Sequence, residues 1–237
     1  MPLSGAAVRL PEDVHRFLSP GRYVDSAHPA VREAAARIAP GARGSEKARA
    51  LYERVRDQVA YCSIPPGRAI SMGAYLRDAE TYRASSVLAE GHGFCVSKAS
   101  LLTALARASG IPARVAFADV VNHHYSGRRL RAATGTDVFA WHGYSELWLD
   151  GRWVKATPMF HQELCERLGV APTGFDGVSD ALLPATDRRG AAFFSYTARH
   201  GSFHDVPARF LTTQIPRRYP GLDEYRQMAD PGAAPPG

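Results

Sequence analysis

The run that follows Cys95 constrains this chain more than any other stretch. Ala99, Leu102 and Ala106 repeat at helical spacing, and Leu101, Leu105 and Ala108 widen that stripe until apolar residues nearly surround the axis. A helix without a polar face cannot rest on a surface. Other elements must bury it on most sides. Gly110 stands where a left-handed residue ends a helix, and Pro112 forbids continuation. The fold is therefore expected to wrap around one central helix.

The candidates for wrapping it lie on both sides in sequence. Upstream, Pro29 to Ile38 reads as a short helix ended by Pro40 and Gly41. A second helix has Ser45 as N-cap, Glu46 in its first turn, and Leu51, Val55 and Val59 on one face, before Ile64-Pro65-Pro66-Gly67 breaks it. Residues 72–89 read as helical in part. Downstream, Arg114 to Val121 is rich in β-formers. Trp141 to Leu149 alternates, with His142, Tyr144, Glu146 and Trp148 on one face and Ser145, Leu147 and Leu149 on the other. Asp150-Gly151 is a two-residue hairpin turn, Arg152 to Ala156 returns, and Pro158 stops it. Helices followed by antiparallel strands predict an α+β fold. Past residue 160 the elements are short and broken by Pro and Gly. The end, Ala229 to Gly237, is expected to fray.

Composition removes several function classes. Of 237 residues, 45% are hydrophobic and 22% charged, which excludes a disordered, collagen-like or coiled-coil chain. No apolar run approaches the roughly 18–20 residues that span a bilayer, and the first residues carry no sustained apolar core of a secretory leader. A cytoplasmic protein without a membrane partner is expected. The net charge of +6 comes from scattered arginines; Arg128, Arg129 and Arg131 form the densest group. Without a cationic stripe and interleaved aromatics, nucleic acid is not an expected partner. Three cysteines, at 62, 95 and 165, are too few and too far apart for a disulfide framework or a zinc knuckle. His123 and His124 with Asn122 have no third ligand at useful spacing, so no metal and no cofactor is expected.

The chemistry is expected at Cys95. It follows Gly91, His92, Gly93 and Phe94 and opens the buried helix. A helix mouth offers unpaired N–H groups and partial positive charge, which favour thiolate and can hold an oxyanion. A cysteine nucleophile needs a base. His142, near the start of a strand 47 residues on, is the candidate. Thr157, a further 15 residues on and beyond the hairpin, is placed roughly opposite His142 and is the candidate to orient its ring. Gly93, His92 and Trp141 are candidate substrate contacts. Cys62 and Cys165 have no matching context and read as inert.

At these residues the chain resembles the transglutaminase-like superfamily. The resemblance rests on Gly91-His92-Gly93-Phe94-Cys95-Val96-Ser97-Lys98-Ala99, on Ala104 to Ala108 leading into Ser109-Gly110-Ile111-Pro112-Ala113-Arg114, and on His142 to Val154, in that order and over roughly residues 45–160. It implies a papain-like α+β core in which a central buried helix packs on an antiparallel sheet, with a Cys-His-Asp triad. Residues 1–44 are then a helical extension, 45–160 the catalytic core, and 161–237 an extension completing the same domain. One departure stands out. The family often has Asp-Pro after the hairpin, whereas this chain has Thr157-Pro158. A hydroxyl can hold an imidazole but cannot stabilise imidazolium by charge. Glu146 and Asp176 are the carboxylates considered as substitutes.

The expected activity is thiol-dependent acyl transfer or amide hydrolysis through an acyl-enzyme, on a peptide, protein or small-molecule amide. The alternative from another class is a non-catalytic scaffold of the same fold that binds a peptide or protein partner.

Overall fold

A computed structural model describes residues 12–61, 70–124 and 128–225. Its helices are α1 (Glu12–His15), α2 (Pro29–Arg37), α3 (Gly44–Gln58), α4 (Met72–Arg77), α5 (Ala84–Glu90), α6 (Cys95–Ala108), α7 (Arg128–Thr134), α8 (Gln162–Leu168) and α9 (Ala208–Arg218). Its strands are β1 (Ala60–Tyr61), β2 (His92–Gly93), β3 (Ala113–Asn122), β4 (Val138–Leu149), β5 (Arg152–Ala156) and β6 (Phe194–Phe203). Among the described residues no helix is long and apolar enough to cross a membrane.

Helix α6 is central because its sequence leaves it no surface face. Every residue from Val96 to Arg107 is buried. Leu101, Leu102 and Leu105 are completely enclosed, and such burial stabilises by about 1.5–3 kcal/mol per side chain. The polar residues on α6 are tolerated because each is bonded. Ser97 Oγ donates to Thr81 O at 2.8 Å, and Thr103 Oγ1 to Ser145 Oγ at 3.0 Å. The Lys98 ammonium donates to the carbonyls of Arg56 and Val59 at the end of α3, so this buried cation caps a helix C-terminus. The helix ends at Gly110, whose φ of 77° is left-handed.

The main sheet has the order β5-β4-β3-β6 and is antiparallel throughout. Asp150 and Gly151 both have positive φ, 48° and 83°, as the tight hairpin requires. One sheet face meets α6: Ser145 Oγ donates to Ala99 O at 2.9 Å. Gly143 faces the helix too. A Cβ built there would lie 2.9 Å from Val96 Cα, so only glycine lets β4 settle on the mouth of α6. The other face carries Ala116, Ala118, Tyr144 and Tyr196. A second apolar cluster of Val120, Met159, Cys165, Val170, Leu183, Phe193 and Phe194 adjoins it.

Several local expectations change. Helix α3 starts at Gly44 with Arg43 as N-cap, and Ser45 instead points its hydroxyl at Asp150. Val59 is the residue that ends α3. Strand β6 had no clear sequence signal, because it is an edge strand with mostly exposed, polar residues. Ile64-Pro65-Pro66-Gly67, Cys62 and Ala229 to Gly237 lie outside the described residues.

Candidate active site

Cys95 is the first residue of α6, and Phe94 provides no side-chain cap. The first-turn N–H groups are therefore left to other acceptors. The sulfur takes them up: the N–H groups of Gly143, Val96 and Cys95 itself lie against it and favour thiolate. Burial opposes them and wins. The thiol is pushed up to about 11, although part of the residue reaches solvent. The helix mouth favours thiolate as expected, but burial outweighs it. Desolvation of a charged sulfur outweighs three backbone dipoles.

Gly143 fixes where the preceding residue can go. Its N–H reaches the sulfur of Cys95, and His142 lines the same cleft as Cys95. The imidazole is 3% exposed, and burial pulls it down to about 3. The resting pair is consequently a neutral thiol and a neutral imidazole. The Nε2 of His142 is buried and without a hydrogen-bond partner.

A β-bulge aims this part of β4. Ala118 pairs with His142 and Val120 with Phe139, so Asp119 faces two residues, Ala140 and Trp141. Trp141 adopts a φ of 60°, which costs a non-glycine residue about 1–3 kcal/mol. Its surroundings hold it there. Trp141 N donates to Asp119 Oδ1 at 3.0 Å, and the same oxygen lies 2.6 Å from His200 Nε2. The indole stacks on His200 at 4.2 Å and meets Phe210 edge-on at 4.6 Å. Asp119, His200 and Gly143 were not singled out in the sequence. An Asp inside a run of β-formers was the available signal for the first.

Thr157 is 2% exposed. Its N–H donates to Ala181 O at 2.8 Å, and its carbonyl accepts from Tyr52 Oη at 3.1 Å. The register pairs Ser145 with Ala156. Thr157 therefore follows on the face of His142, but its opposite number is Tyr144, two residues along the strand, so it is a diagonal neighbour of His142. Its Oγ1 is buried beside the Tyr196 phenol without a well-formed hydrogen bond. Tyr196 also packs edge-on to His142 at 5.9 Å and accepts from Leu183 N at 3.3 Å. The segment from Tyr196 to Asp205 is a sequence candidate for specificity, but no single-sequence pattern put Tyr196 beside the imidazole, because β6 reaches the site only through tertiary pairing with β3.

The two substitute carboxylates are occupied elsewhere. Glu146 accepts from Arg114 Nε at 2.6 Å and Ser202 Oγ at 2.7 Å. Asp176 accepts from the N–H groups of Val178 and Ser179 in its own turn. Trp141 lines the cleft, whereas Gly93 and His92 do not appear in its walls. Gly93 serves packing: a Cβ there would lie 2.8 Å from Ser97 Cβ. His92 sits 3.4 Å from Glu90. His123 bonds Ser195 Oγ at 2.8 Å, and His124 packs on Phe193. Cys165 is buried in the second apolar cluster.

Comparison with known proteins bears on the family and the fold. The family model of the transglutaminase-like superfamily matches residues 32–158. No curated protein matches the chain. Among solved structures, a protein from Cytophaga hutchinsonii proposed to be a cysteine protease superposes with a TM-score of 0.51 at 19% identity, covering 85% of this chain and 50% of that one. A proposed protease from Parabacteroides distasonis gives a TM-score of 0.39 at 16% identity, over 62% of this chain and 27% of that one, too distant to bear on the fold. This chain thus spans about half the length of the first of these structures. The family match covers more than half of the residues, and the first superposition shares the mixed helix and sheet architecture; the chain belongs to the transglutaminase-like superfamily.

Proposed function

We propose that this protein is a thiol-dependent enzyme acting at an acyl or amide carbon, with Cys95 as nucleophile and His142 as base. The observation supporting it is that one cleft is lined by a cysteine at an uncapped helix mouth and by a buried histidine whose next residue, Gly143, packs its backbone against that helix mouth. As the sulfur attacks the carbonyl carbon, its proton passes to the imidazole and an S–C bond forms. The oxygen of the tetrahedral intermediate accepts from first-turn N–H groups of α6. The imidazolium then returns the proton to the departing amine as the C–N bond breaks, leaving a thioester on Cys95. Water attacks that thioester and gives the acid; an amine gives a new amide. Either route restores the thiol.

Because the resting pair is neutral, proton transfer accompanies attack rather than preceding it. In this reading Thr157, with Tyr196 beside it, positions the ring in place of a carboxylate. The reducing cytoplasm is the setting in which the free thiol survives. Residues 1–44, 45–160 and 161–237 serve one unit, and no nucleic acid or metal takes part.

The scaffold alternative draws on the same neutral pair and the missing carboxylate. Trapping separates them. Incubation with small activated esters and amides, read by intact mass, should give an acyl adduct that is lost in Cys95→Ala and strongly reduced in His142→Ala. Full turnover by Cys95→Ala would sink the proposal.

A further inference from the structure

The cleft beside Cys95 has a volume of about 260 Å³, room for one bulky group rather than a large ligand. Beyond Cys95 and His142 its walls include Phe139, Phe160, Phe194, Leu164, Leu183 and Ile215. Charged residues make up 22% of the chain, yet no Asp, Glu, Lys or Arg occurs among the described lining residues. Among the described residues, a charge entering the cleft would meet no counter-ion.

Beyond His142, several polar lining atoms are committed within the fold. Asn122 Oδ1 accepts from His124 N at 2.9 Å. Thr134 Oγ1 donates to Thr136 O at 2.8 Å. Tyr219 Oη donates to Val138 O at 2.9 Å and accepts from Ala140 N at 2.7 Å. A charged substrate group could displace these bonds only by leaving a part-buried partner unsatisfied. An aromatic or branched aliphatic group loses water and gains contacts instead.

We infer that the substrate places a large, uncharged apolar side chain, aromatic or branched aliphatic, in this cleft beside the carbonyl that Cys95 attacks. This rests on the function proposed above and narrows its substrate class. Acidic and basic side chains are excluded from the same position.

The full chain is incubated separately with the N-acetyl chloromethyl ketones of phenylalanine, leucine, glutamate and lysine. The rate of adduct formation is read by intact mass, and the site by peptide mapping. The phenylalanine and leucine reagents should modify Cys95 on the order of 100-fold faster than the glutamate and lysine reagents. His142→Ala should slow the fast pair. If the glutamate or lysine reagent reacts within tenfold of phenylalanine, at Cys95 and with the same dependence on His142, the substrate class is wrong while the thiol mechanism stands. If labelling of Cys95 is indifferent to His142, or no faster than labelling of Cys165, the mechanism fails and the substrate class with it.

Discussion

Acid should destabilise this protein in part through one buried imidazole, and the size of that effect follows from the structure. His142 is 3% exposed, and burial lowers it from 6.5 to about 3. In the unfolded chain it titrates near the ordinary value. The folded state therefore binds this proton less readily, so the stability involved is complete above pH 6.5 and is lost as pH falls toward 3. Each pH unit in that window removes about 1.4 kcal/mol. Between pH 7.5 and pH 4.5 only the two units below 6.5 count, giving a loss of about 3 kcal/mol from this residue. His161 and His204 are lowered as well, so a total pH dependence would not isolate it. The comparison is with His142→Gln, which cannot take up the proton. Urea unfolding at the two pH values should show the parent losing about 2–3 kcal/mol more than the variant. Equal losses in both would mean that His142 titrates normally when folded, and the claim that burial holds its imidazole neutral in acid would have to be abandoned.

Three further outcomes follow from the site. Alkylation of Cys95 by iodoacetamide should rise with pH to about 11, leaving thiolate at pH 7.5 about 100-fold scarcer than for an ordinary thiol at 9.0; a profile that levels off near 9.0 contradicts the dominance of burial. Gly143→Ala should cost about 1–3 kcal/mol, measured by urea unfolding, and should abolish His142-dependent labelling, since the added Cβ collides with Val96; an unchanged midpoint refutes the close approach. Thr157→Asp should raise the His142 pKa by about 1–3 units, followed by NMR titration of the ring protons; no change would place residue 157 out of electrostatic reach.

How far the sequence reached depended on whether a signal was local. The central helix was legible because an apolar surround around Leu102 and Leu105 leaves one physical solution, and the β4–β5 hairpin because Asp150-Gly151 accepts positive φ at both positions. Cys95 at a helix start and His142 on a strand were likewise readable, since each sits in its own short pattern. The second apolar cluster, formed largely from residues beyond 158, was not, because its members come together from short irregular segments with no periodicity.

The chain's own order of residues determined the α+β class, the buried helix, the hairpin and the family. The first three follow from periodicity and turn chemistry, which act between near neighbours, and the family from the resemblance of the Cys95 and His142 motifs. Only the tertiary structure decided the charge state of Cys95 and His142, the bulge that Asp119 and His200 hold around Trp141, and the place of Tyr196 beside His142 and Thr157. Desolvation and packing depend on everything that surrounds a group. Much of what surrounds these comes from distant parts of the chain.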